Sequence, residues 1–185
     1  MIDIIQLCNA IIYCLQQTKH KNDPLNEGHL MRISYVLNII YYLKYNKTII
    51  SPYDLNEYTI SVYGPYNDTI RERFSDLYSL ESKFINNGMA NQVLIKRNNV
   101  FDVEKVPFDI NEIEPKIQQI IKQYATKLWE MHPYDLCYHF MQEKQVDNLN
   151  NAIKNDELGA HEFNISYNFE QSVTYFKDHQ FFDNL

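Results

Sequence analysis

The spacing of apolar residues divides the chain into helical stretches separated by polar breaks. Ile4, Cys8, Ile11 and Leu15 recur at helical intervals, and Ile5 and Ile12 widen the stripe. This places them on one face of an amphipathic helix ending near Gln17. The polar stretch from Thr18 to Asn26, which holds Pro24, reads as a loop. Leu30, Ile33, Leu37, Ile40 and Tyr41 form a second stripe, while Val36, Ile39 and Leu43 fill much of the remaining circumference. A helix apolar nearly all round belongs at the centre of a core. It is expected to end near Asn46.

Ser51-Pro52 opens a turn, and Tyr58 to Tyr63 alternates with β-branched and aromatic residues, which predicts a short strand. Gly64-Pro65 breaks it. Asn67 or Asp68 then caps a helix running to Leu77, with Ile70, Phe74 and Leu77 on one face. Val93 to Ile95 and Val100 to Val103 flank Lys96-Arg97-Asn98-Asn99, a pattern that predicts a two-stranded ribbon ended by Pro107.

The clearest helical stripe is Ile113, Ile117, Ile120, Ile121, Tyr124 and Leu128. Pro115 lacks an amide hydrogen and belongs in its first turn, so the start lies near Asn111 to Glu114. His132-Pro133 interrupts the helix, and another follows from Tyr134 to about Glu143. Leu149 and Ile153 suit a short helix. His161 to Phe169 alternates through Phe163, Ile165, Tyr167 and Phe169 and reads as a strand. Val173, Phe176, Phe181 and Phe182 punctuate the end. The expected fold is mainly α. A compact helical domain with a small β-hairpin covers residues 1–146. An appendage of strand plus short helix covers 147–185, packed on the domain or used for a partner. Leu37, Ile40, Ile117, Ile121 and Leu128 are expected to share the core.

Composition narrows the function. Hydrophobic residues make up 45% of the chain, enough for a real core. The 15 tyrosines are read mostly as core-rim residues, with some at a contact surface. Only 4 glycines are present, and none lies in a phosphate-cradling loop, so no nucleotide cofactor is expected. A net charge of -7 opposes binding to nucleic acid and favours a protein partner with basic surfaces. Arg71 with Arg73 and Lys96 with Arg97 are the densest basic spots, and both are short. Three cysteines among apolar neighbours argue against a disulfide framework. Met1 to Gln17 contains Asp3, Gln6 and Asn9 and lacks both a basic leader and a run of ~20 apolar residues. The expectation is a cytoplasmic protein without a membrane span.

Catalytic templates fit poorly. Cys8 and Cys14, or His132, Cys137 and His139, do not share a helical face as metal ligands would. Cys137 near His132 is the one nucleophile-and-base candidate, and its ordinary reading is a small buried hydrophobe. Asp109, Glu112 and Glu114 suit a helix start by charge alone. No catalytic, cofactor or metal residue is assigned.

The order of elements carries a resemblance. Met31 to Ile39, with apolar Ile33, Val36 and Leu37, is followed by Tyr63-Gly64-Pro65. A long helix then ends in Leu128-Trp129-Glu130-Met131-His132. Over residues 4 to 143 this resembles the Panacea domain, the SocA-like antitoxin family. That family shows a helix containing L-Q-K-L-L-Y-Y, a downstream Y-G-P and a late L-x-x-x-x-H. Tyr35 stands in place of the lysine, and the tryptophan usual before Y-G-P is absent, with Ser61 near its place. The resemblance implies a helical fold and a non-enzymatic protein that neutralises a toxin or effector by binding it. Two other readings stay open: a phage or mobile-element inhibitor of a host defence protein, and a transcriptional regulator that uses Arg71 and Arg73. Tyr63, Gly64, Pro65, Tyr66, Arg71 and His132 are the expected partner-binding residues.

Overall fold

The computed structural model describes residues 1–19, 24–25, 27–61, 64–72, 95–96, 109–142, 166–179 and 181. Helix α1 (Ile4–Gln16) starts at Asp3, whose carboxylate accepts the Gln6 N–H at 2.7 Å, while the Gln6 side-chain oxygen accepts the Asp3 N–H at 3.1 Å. This reciprocal cap satisfies two amide donors that the first turn leaves over. After the two-residue strand β1 (Pro24–Leu25) comes α2 (Glu27–Tyr45), the central element. It stops at Asn46, which adopts a left-handed φ of 52°. Ser51 caps the short helix α3 (Pro52–Asn56), so the expected turn at Ser51-Pro52 is a helix start with proline in its first turn.

Helix α2 is buried on almost every side from His29 to Tyr41 and packs against α1, against α4 (Pro115–Glu130) and against α6 (Phe169–Asp178). Helix α5 (Pro133–Gln142) follows the His132-Pro133 corner. A 3-10 turn at Ile110–Glu112, capped by Asp109, precedes α4, which begins at Pro115 with Glu114 in the N-cap position and the proline in the first turn, as expected. Leu37, Ile40, Ile117, Ile121 and Leu128 all lie in the same core cluster, as their stripes predict.

The fold is mainly α with a small hairpin, as expected, and among the described residues the hairpin is formed by residues 58–61 and 64–67. β2 (Tyr58–Ser61) pairs antiparallel with β3 (Gly64–Asn67), matching Tyr58 with Asn67 and Ser61 with Gly64. Gly64-Pro65 therefore opens a second strand and does not simply end the first. Asn67 caps the helical residues 68–72 by accepting the Ile70 N–H at 2.9 Å, and the rest of the helix expected to Leu77 lies outside the described residues. Of the ribbon expected at Val93 to Val103, only β4 (Ile95–Lys96) is described, and its partner is β1. The polar loop thus contributes two residues to a strand pair.

The strand expected from His161 to Phe169 is described only from Ser166 on. Ser166 makes a single bridge to Thr59, and Asn168 already caps α6 by accepting the Gln171 N–H at 3.1 Å. Phe169 is therefore helical. Tyr167, Phe176 and Phe181 are buried in the same core cluster as α2.

Candidate functional site

The Gly64-Pro65-Tyr66 strand sets the geometry of the candidate site. Gly64 has φ +105°, where a side chain is strained, and a Cβ added there would lie 3.0 Å from the Phe140 ring and its Cβ. Close approach of β3 to α5 needs a glycine for both reasons. The Ser61 hydroxyl donates to the Gly64 carbonyl at 2.8 Å and closes the turn. Pro65 is buried opposite Ile60 and has no N–H to donate. By the alternation of an antiparallel ladder, the bonded pairs are then Thr59–Tyr66 and Ser61–Gly64, and the Tyr58 carbonyl points to the outer edge of the hairpin.

Tyr66 and Arg71, both expected at the site, do meet. The Arg71 guanidinium donates to the Tyr66 hydroxyl at 2.8 Å. Burial pushes the Tyr66 hydroxyl above its ordinary value, partly offset by the Arg71 bond. That bond and the tyrosine's negative form hold Arg71 above its own. Tyr66 is half-buried against the core, whereas Arg71 is exposed, so a ring seated on the core holds a cation at the surface. Glu27, raised by burial and lowered by Arg71, and Asp68 bear on the same guanidinium. Tyr63 lies outside the described residues. His132 is exposed at the α4–α5 corner, where its carbonyl accepts the Asp135 N–H at 2.8 Å and its charge bears on His29.

The thiols are poorly suited to chemistry. Burial pushes Cys14 up to about 11 and raises Cys8 and Cys137. Arg32 only partly offsets the effect at Cys137. A buried thiol held protonated is a weak nucleophile. Among the described residues, no three His, Cys, Asp or Glu side chains converge to hold a metal ion. No helix among them is long and apolar enough to cross a membrane.

Several consequential residues escape a reading of the sequence. His29 is 2% exposed, with its ring 5.1 Å from Trp129 and Nε2 3.4 Å from the Trp129 carbonyl. Burial first, then Arg32, lowers its pKa to about 4. Tyr35, Tyr58 and Tyr167 are wholly buried and not rim residues. The Tyr35 ring lies 4.9 Å from Tyr58, 5.2 Å from Tyr167 and 6.0 Å from Phe140. The Tyr58 hydroxyl pairs with Ser34 Oγ at 2.6 Å, and the Tyr35 hydroxyl meets Ser172 Oγ at 3.3 Å. Such partners let a tyrosine sit deep in a core. The available signal is Ser34, Tyr35 and Asn38 inside the otherwise apolar stretch from Ile33 to Ile40. In comparisons with protein-family models, curated proteins and solved structures, nothing matches the chain.

Proposed function

We propose that this chain is a protein-binding neutraliser of a toxin or effector, of the Panacea-antitoxin type, acting by occupancy and without bond chemistry. The observation that carries the reading is the Gly64-Pro65-Tyr66 strand. Its first two residues are locked into the core, while Tyr66 fixes the exposed Arg71 beside it. Tyrosine and arginine are the residue types that most often dominate protein interfaces, and a rigid support lowers the entropy lost on binding. The buried, protonated thiols add support by leaving Cys137 an ordinary core residue. The net charge of -7 favours a partner with a basic face.

Co-expression tests the proposal. The protein from the neighbouring gene is expressed alone and with this chain, and growth is scored alongside capture of the complex. Restored growth together with a stoichiometric complex is expected. A toxic neighbour that this chain neither binds nor relieves overturns the antitoxin reading.

A further inference from the structure

The outer edge of β2 is already paired. Ser166 bridges Thr59, and the Tyr167 N–H donates to the outward-pointing Tyr58 carbonyl at 2.6 Å. That bond flanks the Thr59–Ser166 pair, which is therefore of the non-hydrogen-bonded kind, with its side chains close together. The Tyr167 ring enters the core against Tyr35 and Phe140, while Ser166 and Asn168 on either side of it are exposed. Among the described residues the contact includes a backbone bond that any non-proline residue could make and a socket that takes one aromatic ring. Strand addition divides affinity and specificity in the same way.

We propose that the β2 edge and the Tyr35–Phe140 socket are a strand-addition site for an extended segment of a protein partner that carries an aromatic side chain. Ser166–Tyr167 is its occupant in cis. Among the described residues the bridge is isolated, and the backbone bond an incoming strand has to replace is the one from Tyr167 to Tyr58. Helix α6 has its own anchors. Phe176 lies 5.2 Å from the Phe140 ring, and Phe181, just beyond the helix, lies 4.7 Å from His139, contacts that do not involve Tyr167. The opposite edge of the hairpin is unsuited, because Pro65 offers no N–H and β3 lies against α2 and α5. The partner segment needs an aromatic residue at the position of Tyr167 and cannot have proline there, since the Tyr58 carbonyl would lose its donor. Polar residues on either side are tolerated.

The site rests on the reading of the chain as a protein binder, but its test needs no cognate partner. The probe is a fluorescein-labelled synthetic peptide spanning Asn164 to Gln171, titrated into the full-length chain. The tethered segment competes at high effective concentration, so Tyr167→Ala should bind the peptide at least about tenfold more tightly than the unaltered chain. A peptide N-methylated at the tyrosine should not bind. In the double variant T59C/S166C, oxidation locks the cis strand in place; binding should vanish on oxidation and return on reduction. Equal binding by the oxidised and reduced forms overturns the proposal, as does no binding by either the reduced form or Tyr167→Ala. If Tyr167→Ala loses its helical circular dichroism, the cysteine pair decides alone. Peptide binding without relief of toxicity removes the antitoxin reading and keeps the site, and relief without peptide binding does the reverse.

Discussion

Asn38, inside α2, holds Ile50 in the loop beyond that helix: its side-chain oxygen accepts the Ile50 N–H at 3.1 Å. The same oxygen accepts the Ile49 N–H at 3.0 Å, and its amide donates to the Ser34 carbonyl at 2.8 Å. All of these groups are buried. The Ile49 carbonyl in turn accepts the Ile2 N–H, so one asparagine links the middle of the bundle to the N-terminus. Asn38→Leu keeps approximate volume but strands two buried donors. It should cost about 2–4 kcal/mol, since each unsatisfied buried donor costs roughly 1–3 kcal/mol. Urea denaturation reads this directly, and a midpoint equal to that of the unaltered chain would show that the loop finds other acceptors.

Gly64→Ala tests the packing of the hairpin on α5. Backbone strain and the contact with Phe140 together should remove about 2–4 kcal/mol of stability. Phe140→Ala removes the ring but keeps the Cβ at 3.0 Å, so it relieves only the ring's share of the contact. In the double variant, the cost of the alanine at Gly64 should shrink without disappearing, because the positive φ remains. Thermal melts of the four proteins form the cycle. Strict additivity would mean that the close approach carries no energy.

The helical frame is legible because periodicity is local: Ile117, Ile121 and Leu128 declare a buried face without knowledge of what covers it. Leu37 and Ile40 do the same for α2. The hairpin is harder to read because Gly64-Pro65 is punctuation in sequence, and only the approach of Phe140 turns it into a strand. Tyr35 is harder still. Its partners Tyr58, Phe140 and Tyr167 come from three distant segments, so neither propensity nor spacing reveals that it joins them. At the candidate site, the proximity of Tyr66 and Arg71 follows from strand passing directly into helix. The buried edge contact at Tyr58 leaves no mark in the sequence near it.

His29 predicts an acid-sensitive core. Its pKa is lowered from 6.5 to about 4 in the fold, mainly by burial, so the unfolded chain binds the proton more tightly. Its contribution is therefore intact above the unfolded value and is lost as pH falls from about 6.5 toward 4, by at most a few kcal/mol. His139 is also lowered by burial and acts in the same direction. Melting temperatures between pH 7.5 and 5 should fall for the unaltered chain and fall less for His29→Gln. Identical slopes would show that His29 is not the group responsible.

The last prediction concerns Tyr66 and Arg71. Tyr66 packs against the core, so removing its whole side chain confounds stability with binding. Tyr66→Phe keeps the ring and deletes only the hydroxyl that accepts from Arg71 at 2.8 Å, a bond at the exposed surface. The melting temperature should move little, because exposed pairings contribute roughly 0–1 kcal/mol. If Arg71 is a docking group, releasing it should weaken binding to the cognate partner by more than about 1 kcal/mol, and Arg71→Ala should do at least as much. The double variant then separates direct contact from positioning. If Tyr66 acts by holding Arg71, adding Tyr66→Phe to Arg71→Ala costs nothing further. If the hydroxyl touches the partner itself, the two losses add. Calorimetry with the cognate partner measures all three, and affinity unchanged in each would take the hairpin face out of the interface and leave the β2 edge as the surface to map.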